Sequence, residues 1–258
     1  MLDDSKAIDT RTDAPLDDKE AGNRLLAALA PGDRAALMAR HSLETVGPGQ
    51  VLLEPDEPPA DLLFPLAGTV LAHLALLPGR KPVETAMIGP EGAAGALFGP
   101  QTARAGFRIQ TLTRGTLLRV PAGVFGEILE ASADLRARMR RYLSALLAQV
   151  QIGAACAALH PVEARVARWM LSLQDRTGER SLPLTQETLA DLLGVRRTTI
   201  TRVIATLEAR GLVRHRRGRI IVMDRPGLER ACCECHALVR ERFEDAMPSL
   251  YPSAQAGG

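Results

Sequence analysis

Two groups of side chains have the types and spacing that chemistry asks for. The first spans residues 196–202, Arg-Arg-Thr-Thr-Ile-Thr-Arg. On a helix from about Arg197 to Ala209, Ile200, Val203, Ile204 and Leu207 form one apolar stripe. The opposite face carries Arg197, Thr198, Thr201 and Arg202, long donors interleaved with hydroxyls that suit base edges and phosphates. The second group is Cys232, Cys233, Cys235 and His236 near the C-terminus. If that stretch is helical, Cys232, Cys235 and His236 share one face at i, i+3 and i+4. They could then give three ligands to zinc, or a redox-active thiol pair.

The elements that must position the first group can be read from the sequence around it. Thr185 can cap a short helix whose apolar stripe is Leu189, Leu192 and Leu193. Gly194 ends that helix, supplying the permissive backbone of a turn, and the Arg197 helix follows at once. The pair reads as a helix-turn-helix. Leu212 to His215 and Ile220 to Met223 then read as two short strands with Arg217-Gly218 near their turn, a hairpin wing. Residues 181–223 hold eight Arg and no Lys against Glu187, Asp191 and Glu208. On a chain of formal net charge +2, that local excess is an electrostatic footprint for phosphate.

The cysteines are less decisive. Formally Cys232 to His236 is the Cys-x-x-Cys-His pattern of c-type haem attachment. That chemistry needs export, and residues 1–20 hold seven acids against Lys6, Arg11 and Lys19, unlike a signal peptide. In a reducing compartment, thiols serving as small apolar filler are the expected state, with no metal and no cofactor. His41, His73, His160, His215 and His236 are scattered, without a nucleophile motif or phosphate loop, so an enzyme is not expected.

The chain of 258 residues is 46% hydrophobic and 24% charged, ordinary for a globular protein of one large or two modest domains. Aromatic content of 3% leaves no stacking platform for single-stranded nucleic acid. No stretch approaches the ~20 apolar residues that cross a bilayer, and a cytoplasmic protein without membrane contact is expected. Residues 1–22 read as a disordered acidic tail. Short helices follow at Leu25 to Leu29 and Ala35 to Met38, split by Pro31-Gly32. From Val46 to Val120 short apolar runs alternate with Pro and Gly punctuation: Val51 to Leu53, Leu62 to Leu66, Val70 to Leu77, Val83 to Ile88, Phe107 to Leu112 and Leu117 to Val120. They predict an antiparallel barrel or roll.

A helical section begins at Phe125, and Asp134 to Leu159 predicts one long helix. Leu143, Leu147, Val150, Ala154 and Ala157 make a heptad-like seam, with Leu135, Met139, Tyr142 and Leu146 beside it. Such a helix can pack on its own roll and pair with a second copy, as two-fold symmetric DNA sites require. The alternative is a core helix buried against the roll alone. His160-Pro161 stops it and marks a domain boundary and hinge. Val162 to about Arg176 forms the next helix, and Asp224 caps a last one through Phe243. The expected division is therefore a tail at 1–22, a roll at 23–132 and a long helix with hinge at 133–160. The DNA-binding unit covers 161–245, with a flexible tail at 246–258.

Roll, long helix, hinge and winged helix-turn-helix, in that order, resemble the CRP/FNR superfamily of bacterial transcription regulators over residues 25–245. The resemblance implies an α+β fold with an N-terminal cyclic-nucleotide-binding-like β-roll, a long dimerisation helix and a C-terminal winged helix-turn-helix. It implies a homodimer on a palindromic double-stranded operator, and it allows RNA polymerase as a further partner. The dimer interface would take Leu135, Met139, Tyr142, Leu143, Leu146, Leu147, Val150 and Ala154. The family pattern Gly-x-Ser-Arg-Glu-Thr-Val-x-Arg corresponds to Gly194 through Arg202. Arg197 and Arg202, with Thr198, would contact bases. Thr185, Arg196, Thr199, Thr201, Arg214, Arg216, Arg217 and Arg219 would contact the backbone. Thr198 stands where many relatives carry Glu, and Arg196 replaces the usual Ser, so the preferred half-site should differ. In the roll, Arg104 falls at the cyclic-phosphate position. Ala94 (or Ala96, if the register slips) replaces the ribose-binding Glu, and Ala105 lacks a hydroxyl. Cyclic AMP is therefore not expected; another anionic ligand on Arg104, or none, remains. The competing reading is a redox- or metal-responsive switch built on Cys232, Cys235 and His236, with DNA binding as output. The N-terminal cysteine cluster of oxygen-sensing relatives is absent, since no Cys precedes Cys156.

Overall fold

The computed structural model describes residues 22–97 and 104–248. The expected tails lie outside these, apart from residue 22 and residues 246–248. Two short helices open the chain, α1 (Arg24–Ala27) and α2 (Pro31–Met38). Pro31 does not merely separate them; it occupies the first turn of α2, where its missing N–H costs nothing. Asn23 caps α1, and its amide also donates to the carbonyls of Pro65 and Gly92 at 2.9 Å each, fixing the helix on the roll.

The roll comprises β1 (Ser42–Val46), β2 (Val51–Leu53), β3 (Asp61–Pro65), β4 (Leu71–Ala75), β5 (Val83–Ile88), β6 (Ala94–Gly95), β7 (Arg108–Thr111) and β8 (Gly115–Pro121). They form two antiparallel four-stranded sheets, ordered β1-β8-β3-β6 and β2-β7-β4-β5. All six expected strands are present. β1 and β6 were not foreseen: Ser-Leu-Glu-Thr-Val is half polar, and Ala-Gly is too short to carry a period. Leu62, Phe64, Leu71, Ile88, Ile109 and Leu118 fill the space between the sheets. At the rim, Arg119 is held by the carboxylates of Glu44 and Asp61.

α3 (Ala122–Ala131) leads into α4 (Ala133–Leu159), capped by Ser132. The apolar rows of α4 are divided by burial. Leu135, Met139, Tyr142 and Leu146, expected at the dimer interface, are instead buried in this chain's own core. Leu143 and Val150 are half-buried, Ala154 is exposed, and Leu147 is 57% exposed. Periodicity showed two apolar rows but not which of them the roll would claim. From Tyr142 to Leu159 the helix carries no charged residue. An 18-residue window there has a mean hydropathy of 1.5, of which 28% is buried, so by length and composition alone it could cross a membrane. That corrects the expectation that no stretch comes near this length, and it leaves α4 with an outward apolar face.

The C-terminal unit contains α5 (Val162–Thr177), β9 (Ser181–Leu182), α6 (Gln186–Leu193), α7 (Arg197–Ala209), β10 (Val213–Arg216), β11 (Arg219–Val222), α8 (Arg225–Ala231) and α9 (Cys235–Ala246). β9 adds a third strand beside β11. The single last helix expected from Asp224 to Phe243 is broken, because the backbone at Cys232 is extended (φ −78°, ψ 158°). α9 thereby turns back across α4, where Val239 and Phe243 join the roll core beside Tyr142.

The two units meet at Arg176 on α5. Its guanidinium lies 2.7 Å from Glu91, and both side chains are all but inaccessible. It also donates to the Met87 carbonyl at 3.1 Å and to Gln149 Oε1 on α4 at 3.0 Å. Gly92, next to Glu91, is required by close approach: a Cβ there would stand 2.3 Å from the Tyr142 hydroxyl. That hydroxyl donates to the Ala93 carbonyl and accepts from the Ala93 amide. Nearby, Trp169 Nε1 donates to Glu84 on β5, whose carboxyl burial pushes above the usual range.

Two stability measurements follow from this interface. Arg176→Met leaves Glu91 with Arg24 at 3.7 Å and the Gly89 amide at 3.1 Å, and is expected to cost about 3–5 kcal/mol in urea denaturation. Adding Glu91→Gln should restore part of it, and a single-mutant loss under about 1 kcal/mol would contradict the role given to the pair. His73 stacks on Phe107 with ring centroids 4.4 Å apart, and burial pulls its pKa from 6.5 down to about 4. The unfolded chain takes up this proton near pH 6.5 while the folded chain does not until about 4, so stability falls as pH drops through that window. Glu84 works in the opposite sense, so the contribution of His73 is read by difference. His73→Phe should lose up to roughly 3 kcal/mol less than the wild type between neutral pH and pH 4. Parallel pH profiles for the two proteins would sink the assignment.

Candidate nucleic-acid interface

The helix pair is assembled by local hydrogen bonds that its sequence supplies. Thr185 Oγ1 accepts the Thr188 amide at 3.0 Å and so caps α6. Gly194 takes the left-handed conformation (φ 66°, ψ 34°) that closes the helix. The Gly194 amide donates to Asp191 O and the Val195 amide to Ala190 O, which turns the chain into α7. Ile200, Ile204 and Leu207 bury the inner face of α7 against Leu189, Leu193 and Trp169. Thr201 Oγ1 donates to Gln186 Oε1 at 2.7 Å. Expected as a backbone contact, Thr201 is thus also a pin between the two helices. Gln186 was missed because nothing in its spacing marks a side chain that reaches the next helix.

The outer face of α7 presents Arg197, Thr198 and Arg202, all exposed, with Arg196 exposed just before the helix and Thr199 half-buried beside it. Arg196 makes no side-chain cap, consistent with its replacing the usual Ser. Neither Arg197 nor Arg202 forms an ion pair among the described residues. On the wing, Arg214, Arg216, Arg217 and Arg219 are exposed around a turn at Gly218 (φ 74°). Two of the nearby acids are already engaged. Glu208 accepts the His215 amide at 2.6 Å, holding the wing to α7. Asp191 pairs with Lys81 of the roll at 2.8 Å. The remaining surface is a row of unpaired guanidiniums beside a groove-sized helix.

Among the described residues the roll shows no comparable site. Arg104 is 72% exposed and stands 3.8 Å from Asp56. Ala94 and Ala96 are buried within the sheet region, and so is Ala105. A cleft of about 280 Å³ is lined by Glu57, Asp61 and Arg119, among others. Two carboxylates and a guanidinium already tied to Glu44 and Asp61 do not suit an anion.

The set Cys232, Cys235 and His236 of the competing redox or metal reading does not assemble. Cys232 Sγ donates to the Cys233 carbonyl. His236 Nε2 lies 2.8 Å from Asp175. Burial would raise the Asp175 carboxyl, but His236 and Arg225 hold it down at about 2.

Comparison with known proteins agrees with this architecture. Residues 164–231 match the Crp-like helix-turn-helix domain family. No curated protein matches the chain by sequence. Among solved structures, a protein described as a CRP/FNR-family transcriptional regulator from Eubacterium rectale superimposes with a TM-score of 0.63 at 20% identity. The match covers 81% of this chain and 97% of that one. FixK2 from Bradyrhizobium japonicum gives 0.63 at 14% identity, over 75% of this chain and 98% of its own. The regulator CLP from Xanthomonas campestris, described as responsive to c-di-GMP, gives 0.60 at 19% identity, covering 76% and 100%. At such identities the likeness is one of fold.

Arg197→Ala and Arg202→Ala are each expected to lose about 1–3 kcal/mol on a preferred duplex and to relax base preference at their positions. In contrast, Arg217→Ala on the wing should weaken all duplexes alike and lower the salt slope by about one. Fluorescence anisotropy on preferred and random DNA separates the two. Equal losses on both duplexes for Arg197→Ala would show a phosphate contact only.

Proposed function

We propose that this CRP/FNR-type transcription regulator, whose Crp-like helix-turn-helix domain spans residues 164–231, acts in the cytoplasm as a homodimer on palindromic double-stranded DNA. The observation that carries the reading is the exposed row Arg197, Thr198 and Arg202 on a helix whose other face is fully committed to the core. Arg197 and Arg202 suit bidentate bonding to guanine O6 and N7. Arg196 and the wing arginines neutralise phosphates on either side.

An outward apolar row on α4 supports the dimer. The outward row of α4 follows Leu143, Leu147, Val150, Ala154 and Ala157, stepping by four, three, four and three as a two-helix seam requires, with Leu143 and Val150 also touching the roll core. Leu147 is the largest exposed apolar group on it. Two copies joined there would present two recognition helices to successive major grooves. RNA polymerase is a further partner in this reading.

The roll acts without cyclic AMP. A buried Ala94 replaces the ribose-binding carboxylate, and Glu91, the nearest acid in sequence, is already committed to Arg176. Arg104 at the surface lacks the enclosed setting in which a phosphate outcompetes water.

Leu147→Glu tests the dimer by sedimentation. Charge in an apolar seam should shift the protein to monomer and weaken operator binding at least tenfold. A dimer that survives the change would place the interface elsewhere. Millimolar cyclic AMP should change neither melting temperature nor DNA affinity. A saturable shift in either would overturn the roll assignment.

A further inference from the structure

The break between α8 and α9 brings Cys233 and Cys235 against the end of α4, where Cys156 and His160 wait. The four donor atoms all lie within 4.8 Å of one another. Cys156 Sγ is 3.6 Å from Cys233 Sγ, and Cys235 Sγ is 3.6 Å from His160 Nδ1. The three cysteines are buried and His160 is half-buried. We propose that Cys156, His160, Cys233 and Cys235 form a zinc site that ties the last helix of the DNA-binding unit to the end of the long helix.

The spacing suits one metal ion and not the alternatives. A tetrahedron with Zn–S near 2.3 Å and Zn–N near 2.0–2.1 Å has S···S edges of roughly 3.8 Å and S···N edges of roughly 3.5 Å. The two separations seen here, each 3.6 Å, fall close to these. A disulfide needs its sulfurs at about 2.05 Å, well inside the separation seen here. A polynuclear iron–sulfur cluster spreads its cysteine ligands over several metal atoms and needs a wider cage.

The surroundings point the same way. His160 presents Nδ1 to the thiols while its other nitrogen, Nε2, lies 3.2 Å from Glu234. A carboxylate on the far nitrogen is the arrangement that fixes the ring of a zinc-bound histidine. Arg168 acts electrostatically on Cys156, and its buried Nε has no hydrogen-bond partner among the described residues. Zinc with three thiolates and a neutral imidazole carries net charge −1, which that guanidinium offsets. Each thiol gives up its proton on binding, and the metal supplies the compensating charge.

The site sits at a mechanical junction. Cys156 and His160 are in the final turn and C-cap of α4, immediately before Pro161, and Cys233 and Cys235 flank the start of α9. The metal would close a loop from residue 156 to residue 235 and fix the angle between long helix and DNA-binding unit. This inference does not depend on the DNA-binding reading, since metal content is measured without DNA.

The test is elemental analysis of the full chain purified without chelators, alongside four variants. About one zinc per chain is expected in the wild type and in Cys232→Ser and His236→Asn, which alter the neighbours outside the set. Cys156→Ser and Cys233→Ser should fall below about a tenth of that. Should those two fail to fold by circular dichroism, cobalt(II) exchanged into the wild type decides. A thiolate-to-cobalt charge-transfer band with intense tetrahedral d–d bands supports the site. Folded wild type that lacks zinc and takes up neither zinc nor cobalt would overturn it. So would bound iron with sulfide, or full zinc retention in folded Cys233→Ser.

Discussion

The buried pair between Arg176 and Glu91 is the constraint on which the arrangement of the two units depends. A charge placed that deep costs several kcal/mol unless its partner is present with good geometry. Arg176 therefore cannot leave Glu91, Met87 and Gln149 without a large loss, and it lies on the helix that carries the helix-turn-helix. Glu91 in turn opens the tight turn at Gly92, which packs on Tyr142 of the long helix. The same few ångströms join the roll, the long helix and the DNA-binding unit. Any change of state that moves one of them must also reorganise this pair.

Around that centre, α4 divides its surface between two tasks. Leu135, Met139, Tyr142 and Leu146 are consumed by the chain's own core, while Leu147 and Ala154 stay exposed. The apolar composition that gives the helix a hydropathy suited to a bilayer also suits the proposed pairing of two copies. α9 then covers part of α4 from the other side. The hinge at His160-Pro161 is thus crossed by packing as well as by the peptide chain.

Local signals in the sequence were enough for the helix-turn-helix. The Thr185 cap, the left-handed Gly194 and the Ile200 stripe act within a few residues of themselves, and α7 has the boundaries expected of it. The wing and six strands of the roll were legible for the same reason. What sequence could not show depends on distant partners. Periodicity could not say which row of α4 the roll would take. Nor could spacing reveal that the chain breaks after Cys232, since neither Gly nor Pro marks the spot. Spacing on one helix grouped Cys232, Cys235 and His236, whereas the fold groups Cys156 and His160 with Cys233 and Cys235 across nearly eighty residues. Gln186 and Arg176 likewise acquire their roles only through residues far along the chain.

We propose that two copies present α7 to DNA with Arg197, Thr198 and Arg202 reading bases. Selection of binding sites from a random duplex library with the purified full-length protein tests it most directly. The expected result is one enriched palindrome, its half-sites centred about one helical turn apart, roughly 10 base pairs, with guanine prominent in each half. Retention of the library without an enriched sequence, or enrichment of a single unpaired half-site, would contradict it.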